Sequence, residues 1–266
     1  MASAGKTLRG SQKQGAPGVP LLTALALRVG VTLAQQAVED KTNAIAVALE
    51  GRRHRVLEGR SVTLDALLTQ RQIAQQSGDA GGDSGRVGTA HQPHVWEAIA
   101  TVCALAPSAG ERRTAAATLD CGHGRSEQRG LPTRTGWMGE SDWPALAHVL
   151  HLERQVLIKN TGAVREAVGA SVTSLAPEQA DAARLLALVR GPWQIEHQAH
   201  GGRDVTFEAD RSQVRCGHIP QVTAALRHPV MGFMRGAGST NIAAAGRRVA
   251  AQPRAAWSLI GIALEN

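Results

Sequence analysis

The chain has 266 residues, 43 % of them apolar, enough for one large domain or one domain carrying an insertion. No run of about 18 apolar residues occurs, so no membrane-spanning helix is expected. Residues 1–10 lack the apolar stretch of a secretory signal. Three widely spaced cysteines, Cys103, Cys121 and Cys216, exclude a disulfide framework and suit a reducing cytoplasm.

The charge is +7, and arginine supplies nearly all of the positive part; the lysines are Lys6, Lys13, Lys41 and Lys159. Arginine's planar fork suits phosphate oxygens. A GC-rich coding bias towards Ala, Arg and Gly gives the same composition, and composition leaves both readings open. Aromatic residues make up only 3 %, with no Tyr, which points to a weakened core.

Residues 1–16 are polar and Gly-rich and read as a loose start. Two apolar runs, 19–27 and 31–38, flank Arg28-Val29-Gly30 and predict a strand hairpin. Residues 43–57 read as a helix ending in the basic cluster Arg52, Arg53, His54 and Arg55. That cluster is either a solvated helix end or a DNA contact. Residues 61–64 predict a short buried strand with Asp65 at its end, followed by a helix over 67–76. Residues 93–105 predict a short helix. From about 106 to 175, short apolar stretches such as 146–157 and 164–172 alternate with Gly and charge, which predicts a strand-rich segment. Ser174 is the expected cap of a helix with Pro177 in its first turn, running to about 190. Pro192 then starts a helix with Trp193, Glu196 and His200 on one face. Residues 220–236, 239–250 and 254–263 read as helices. The expected division is 1–92 as the first part of a catalytic domain, 93–175 as the strand-rich insertion and 176–266 as the helical remainder.

A strand ending in Asp and a later helix presenting Glu is one way to hold divalent cations. Hard oxygen ligands suit Mg²⁺, and two such ions can stabilise both the attacking and leaving oxygens of a phosphodiester. Spacing alone makes Asp65 and Glu196 weak candidates, since an Asp after a strand is usually a helix cap.

An ordered series of short stretches carries more weight. It comprises Gly5-Lys6-Thr7-Leu8-Arg9-Gly10-Ser11; Leu33-Ala34-Gln35; Lys41-Thr42-Asn43; Val62-Thr63-Leu64-Asp65-Ala66 with Thr69-Gln70; Gly81-Gly82-Asp83; and Gln92-Pro93. It continues through Gly122-His123-Gly124-Arg125 with Glu127 and Arg129, Thr173-Ser174-Leu175 and Trp193-Gln194-Ile195-Glu196. Arg203-Asp204-Val205-Thr206-Phe207, Asp210-Arg211-Ser212, Arg215 and Asn241-Ile242-Ala243 close it. In these stretches, and over nearly its whole length, the chain resembles the ISAs-type insertion-sequence transposases, the group that includes the H-repeat-associated proteins.

The resemblance implies an α/β, RNase-H-like mixed sheet with flanking helices and a strand-rich insertion before the catalytic Glu helix. It implies a DDE triad holding Mg²⁺, with Mn²⁺ as a substitute, and DNA cleavage and strand transfer at insertion-sequence ends and target. Asp65 falls on the second Asp and Glu196 on the Glu, both as catalytic residues and metal ligands. Lys6, Arg9, His123, Arg125, Arg203, Arg211 and Arg215 fall among DNA-binding positions. The position of the first Asp holds Ala4, and the strand that should deliver it is expected to precede Met1, as in an N-terminally truncated chain. Gly201-Gly202 departs from the family and should end the Glu196 helix early. The alternative is therefore a remnant that binds DNA, or an intact transposase, without chemistry. Were the chain active, Asp83 or Asp204 would supply the missing carboxylate. The expected location is the cytoplasm, with no membrane partner; self-association stays open.

Other motifs are weaker. Ala4-Gly5-Lys6-Thr7 lacks the earlier glycine and strand of a phosphate-binding loop. Cys121-x-His123 and Cys216-x-His218 have unusual spacing for zinc. No G-x-S-x-G elbow occurs. Trp193 reads as core before it reads as a base-stacking platform.

Overall fold

Alternating small and apolar residues at the start of the chain build a strand, β1 (Ala2–Leu8), whose Ala2, Ala4 and Leu8 are buried. The expectation of a loose start is corrected here. Alanines, Gly5 and Lys6 give little intrinsic strand signal, and pairing with a neighbour supplies it instead. That neighbour is β2 (Val19–Ala26), antiparallel to β1 with Ala4 opposite Thr23. β2 turns through Gly30, whose φ of 64° suits glycine, into antiparallel β3 (Val31–Ala37). The predicted hairpin is thus present. So is a strand carrying position 4, which corrects the expectation that this strand is missing.

The computed structural model describes residues 1–12, 17–38, 61–64, 75, 78–79, 83–88, 93–105, 111–135 and 146–262. The chain divides into two units, Met1–Val47 with Pro192–Asn266, and Ala48–Gly191. The expected helices over 43–57 and 67–76, the Arg52–Arg55 cluster and Asp65 lie outside the described residues.

In the first unit the strand order is β3-β2-β1. One short α-helix, Gly191–Ile195, runs into a π-helix, Glu196–Thr206. Ile195 and Ala199 pack on Ala2, Ala4 and Leu25, which sets this helix over β1. A longer helix, Ile219–Gly236, packs through Ala224 on Leu8 and Leu21. Its Met231 and Met234 meet Ile242 and Ala245 of the next helix, Ile242–Ala251. Asn241 caps that helix, accepting from the Ala244 amide at 2.9 Å. A short helix, Pro253–Leu259, follows.

Gly201-Gly202 does not end the Glu196 helix, contrary to expectation. The wider π turn continues to Thr206, and the glycines serve close packing. A Cβ on Gly202 would stand 3.0 Å from the Met231 sulfur, and one on Gly201 would stand 3.2 Å from the Glu196 carbonyl oxygen.

The second unit has strand order β4-β5-β9-β8-β7-β6. These are β4 (Ser61–Leu64), β5 (Asp83–Gly88), β6 (Arg112–Gly122), β7 (Arg125–Thr135), β8 (His148–Ile158) and β9 (Val164–Thr173). β4 and β5 are parallel, and the other described pairs are antiparallel. Two helices cover opposite faces. Ile99 and Val102 of Pro93–Ala104 pack with Val149, while Leu185, Leu186 and Val189 of Ala182–Val189 pack with Leu131 and Leu150. Val149 and Leu150 are consecutive on β8 and so point to opposite faces. The second helix starts later than predicted. Residues 176–180 form a turn, and Asp181, not Ser174, caps the helix by accepting from the Arg184 amide at 2.8 Å.

The architecture is therefore mixed α/β. No described helix is long and apolar enough to cross a membrane.

Candidate functional site: a carboxylate pair beside β1

Even-numbered residues of β1 face the π-helix. Ala2 and Ala4 are small, so the helix sits close, and Lys6 reaches its side chains. Lys6 Nζ contacts Asp204 Oδ2 and lies 3.5 Å from Glu196 Oε1. His200 Nδ1 donates to Glu196 Oε2 at 2.7 Å, since a carboxylate can only accept. Arg203 Nε donates to Asp204 Oδ1 at 3.4 Å. Glu196 is 60 % exposed. Partial burial alone would raise its carboxyl pKa. The His200 hydrogen bond and the Lys6 charge outweigh that and hold it below the ordinary range, so it is ionised. Burial dominates at His200 and pushes its pKa down, leaving a neutral ring.

Behind this pair lies a buried polar layer. His200 and Arg203 are both 0 % exposed, and His228 is buried beside them. His228 Nδ1 is 3.0 Å from Thr32 Oγ1. The Arg203 Nη1 and Nη2 atoms and the Nε2 atoms of His200 and His228 meet no hydrogen-bond partner among the described residues. Burial, with the Arg203 and Arg235 charges, pushes His228 down to about 4.

The predicted site residues divide sharply. Glu196 has neighbours suited to ionic chemistry, whereas Asp65 lies outside the described residues. Ala4 is 6 % exposed against Leu25, Ile195 and Ala199, so its methyl fills an apolar contact. Asp83 is on β5, where burial raises its pKa against the lowering charge of Arg184. Among the described residues, no group of three or more His, Cys, Asp or Glu could hold a metal ion. The two C-x-H pairs likewise belong to no such group. Of the positions that the resemblance assigns to a two-metal centre, Ala4 offers no side-chain oxygen, Glu196 is described and Asp65 lies outside the described residues.

Three predicted DNA-binding residues meet on one edge of the first unit. The Arg9 amide donates to Asp210 Oδ1 at 3.2 Å, and Arg215 Nε donates to the Gly10 carbonyl at 3.0 Å. This packs the 208–215 segment on the 9–11 turn and gathers Arg9, Arg211 and Arg215, all exposed. Arg203 is corrected as a DNA contact, because its guanidinium is fully buried. The Lys6 ammonium is engaged by carboxylates of its own chain. His123 and Arg125 lie in the second unit, at the β6–β7 tip. There His123 (φ 50°) and Gly124 (φ 72°) are the two left-handed residues of a tight hairpin turn closed by Gly122 and Arg125. Glu127 and Arg129, from the same motif, pair at 2.6 Å. Arg134 and Arg154 also pair internally, with Glu111 and Glu127, so part of the arginine excess supports the second unit itself.

An open cleft of about 760 Å³ in the first unit is lined by Arg28, His197, Arg235 and the 239–243 segment. Arg235 is held there by the Gly30 and Gln198 carbonyls. Sequence reasoning named Asp204 only as a substitute ligand. The burial of its neighbour Arg203 and its contact with Lys6 were not readable, because helical spacing assumes an α turn.

The chain matches no family model. It is 25 % identical over 243 residues to the protein named "Putative transposase YncI" of Escherichia coli O157:H7. The match covers 87 % of this chain and 60 % of that relative, so the chain spans less than two thirds of the relative's length. The chain is thus similar to a transposase along most of its own length.

Proposed function

We propose that this chain is a DNA-binding protein of the insertion-sequence transposase type, with an RNase-H-like first unit and without an assembled cleavage centre. The similarity to a transposase over 243 residues carries the reading. Ala4 on β1 supports its second half, because an alanine offers neither charge nor oxygen where the resemblance calls for Asp. The edge formed by Arg9, Arg211 and Arg215 is the surface that would take DNA phosphates.

The test is binding of duplex DNA at several salt concentrations. Neutralising roughly five phosphates gives log K against log salt a slope near −4 to −5. Replacing Arg9, Arg211 and Arg215 by Ala should flatten that slope by roughly 3. A flat dependence in the unmodified chain, or no binding at ~50 mM salt, would assign the arginines to coding bias.

A second reading is an active DDE transposase in which Glu196 and Asp65 hold Mg²⁺. The observation favouring it is that Glu196 is exposed and kept ionised. Mg²⁺- or Mn²⁺-dependent cleavage of terminal-repeat DNA, abolished by Asp65→Ala, would establish it over the first.

A further inference from the structure

We propose that Lys6 is a built-in counter-cation for Glu196 and Asp204, standing where a divalent ion would otherwise bridge them and leaving the pair insensitive to metal. This rests on the carboxylate geometry and not on the transposase reading.

All four carboxylate oxygens already have a cation or donor from the chain. Glu196 Oε1 faces Lys6 at 3.5 Å, and Glu196 Oε2 accepts from His200 at 2.7 Å. Asp204 Oδ2 is in contact with Lys6, and Asp204 Oδ1 faces Arg203 Nε at 3.4 Å. The charges balance as well. Two carboxylates meet one ammonium and one guanidinium, and Arg203 is fully buried, so its charge is poorly screened. A divalent ion bridging the two carboxylates would add two charges to a neutral cluster and would meet the Lys6 ammonium between them. The arrangement follows from the strand period. Ala2, Ala4 and Lys6 share a face, and the small residues bring the helix near enough for a lysine stem to lie along apolar surface with its head on both carboxylates.

The first experiment titrates the full chain with Mn²⁺ alone, following free Mn²⁺ by electron paramagnetic resonance. Asp204→Asn should leave the affinity of the unmodified chain unchanged. Lys6→Met should create a site that binds Mn²⁺ on the order of 10–1000-fold tighter, the range by which one charge at this distance shifts a proton affinity. Adding Asp204→Asn to Lys6→Met should abolish that gain. A folded Lys6→Met chain that gains nothing, or an unmodified chain whose Mn²⁺ site is lost in Asp204→Asn, overturns the proposal.

The second experiment needs no variant. Acylation of amines followed by mass spectrometry reads each of the four lysines separately. Lys6 should react more slowly than exposed Lys159, and millimolar Mn²⁺ should not speed it. Equal rates, or release of Lys6 by Mn²⁺, overturns the proposal even if Lys6→Met fails to fold.

Discussion

His228 makes the first unit acid-labile. It sits on Ile219–Gly236 and faces Thr32 of β3, His200 and Arg203 of the π-helix, and Arg235 of its own helix. Burial and the two arginines push its folded pKa down to about 4 from an ordinary 6.5. A folded pKa below the unfolded one means that the unfolded chain binds the proton more readily. Stability from the neutral ring is therefore complete above pH 6.5 and is lost as the pH falls towards 4. The full loss is about 3 kcal/mol, of which about 2 kcal/mol has gone at pH 5. His200, also shifted down, adds loss in the same direction, while Glu196, shifted down from 4.5, adds loss only at lower pH. His228→Gln cannot titrate, and its difference from the unmodified chain isolates this one group. Urea unfolding of both chains at pH 7 and pH 5 should show the unmodified chain losing about 2 kcal/mol more than His228→Gln. Equal losses would mean that His228 is not buried beside Arg203 and that the polar layer is misdescribed.

Two further substitutions probe the two units separately. Leu185→Ala, in the cluster with Leu131, Leu150 and Leu175, should cost about 2–5 kcal/mol in denaturant unfolding; less than about 1 kcal/mol would show that the helix is not seated on the sheet. Arg203→Leu removes a buried guanidinium that faces both Asp204 and His228, so His228 should titrate at higher pH, followed by its ring proton resonances; an unmoved His228 would refute their proximity.

Much of this architecture is legible from period and punctuation. The β2–β3 hairpin follows from two apolar runs around Gly30, and the strands between 112 and 173 follow from short apolar stretches broken by Gly and charge. Gly122-His123-Gly124-Arg125, read as part of a family motif, has a direct physical role as a two-residue turn. What was not legible depends on tertiary pairing. β1 is alanine-rich and becomes a strand because β2 pairs with it. Ser174 and Asp181 are both acceptable caps, and the turn at 176–180 decides between them. For the site, Glu196 and His200 were placed on one face by helical spacing, and they do meet. The involvement of Lys6 and Asp204 was hidden, because it needs the register of β1 under a π-helix that no local sequence rule signals.

That register also changes what Ala4→Asp would do. Were position 4 on a loose end, a carboxylate there would be harmless and useless. It is instead on a paired strand, packed against Leu25, Ile195 and Ala199. A new carboxylate would be buried in an apolar contact. The nearest cation on the same face, Lys6, already serves Glu196 and Asp204. An unpaired charge in such a place costs about 3–5 kcal/mol, so the variant should unfold at markedly lower urea concentration at pH 7. Its folded carboxyl pKa should be raised above the unfolded value, which makes the penalty present at neutral pH and smaller as the pH falls towards 4. DNA cleavage should not appear with Mg²⁺ or Mn²⁺. In a chain that also carries Lys6→Met, Mn²⁺ should restore part of the lost stability, because three carboxylates then lack their lysine. If Ala4→Asp alone unfolds like the unmodified chain at pH 7 without metal, position 4 has polar room, and the apolar seal between β1 and the Glu196 helix is wrong.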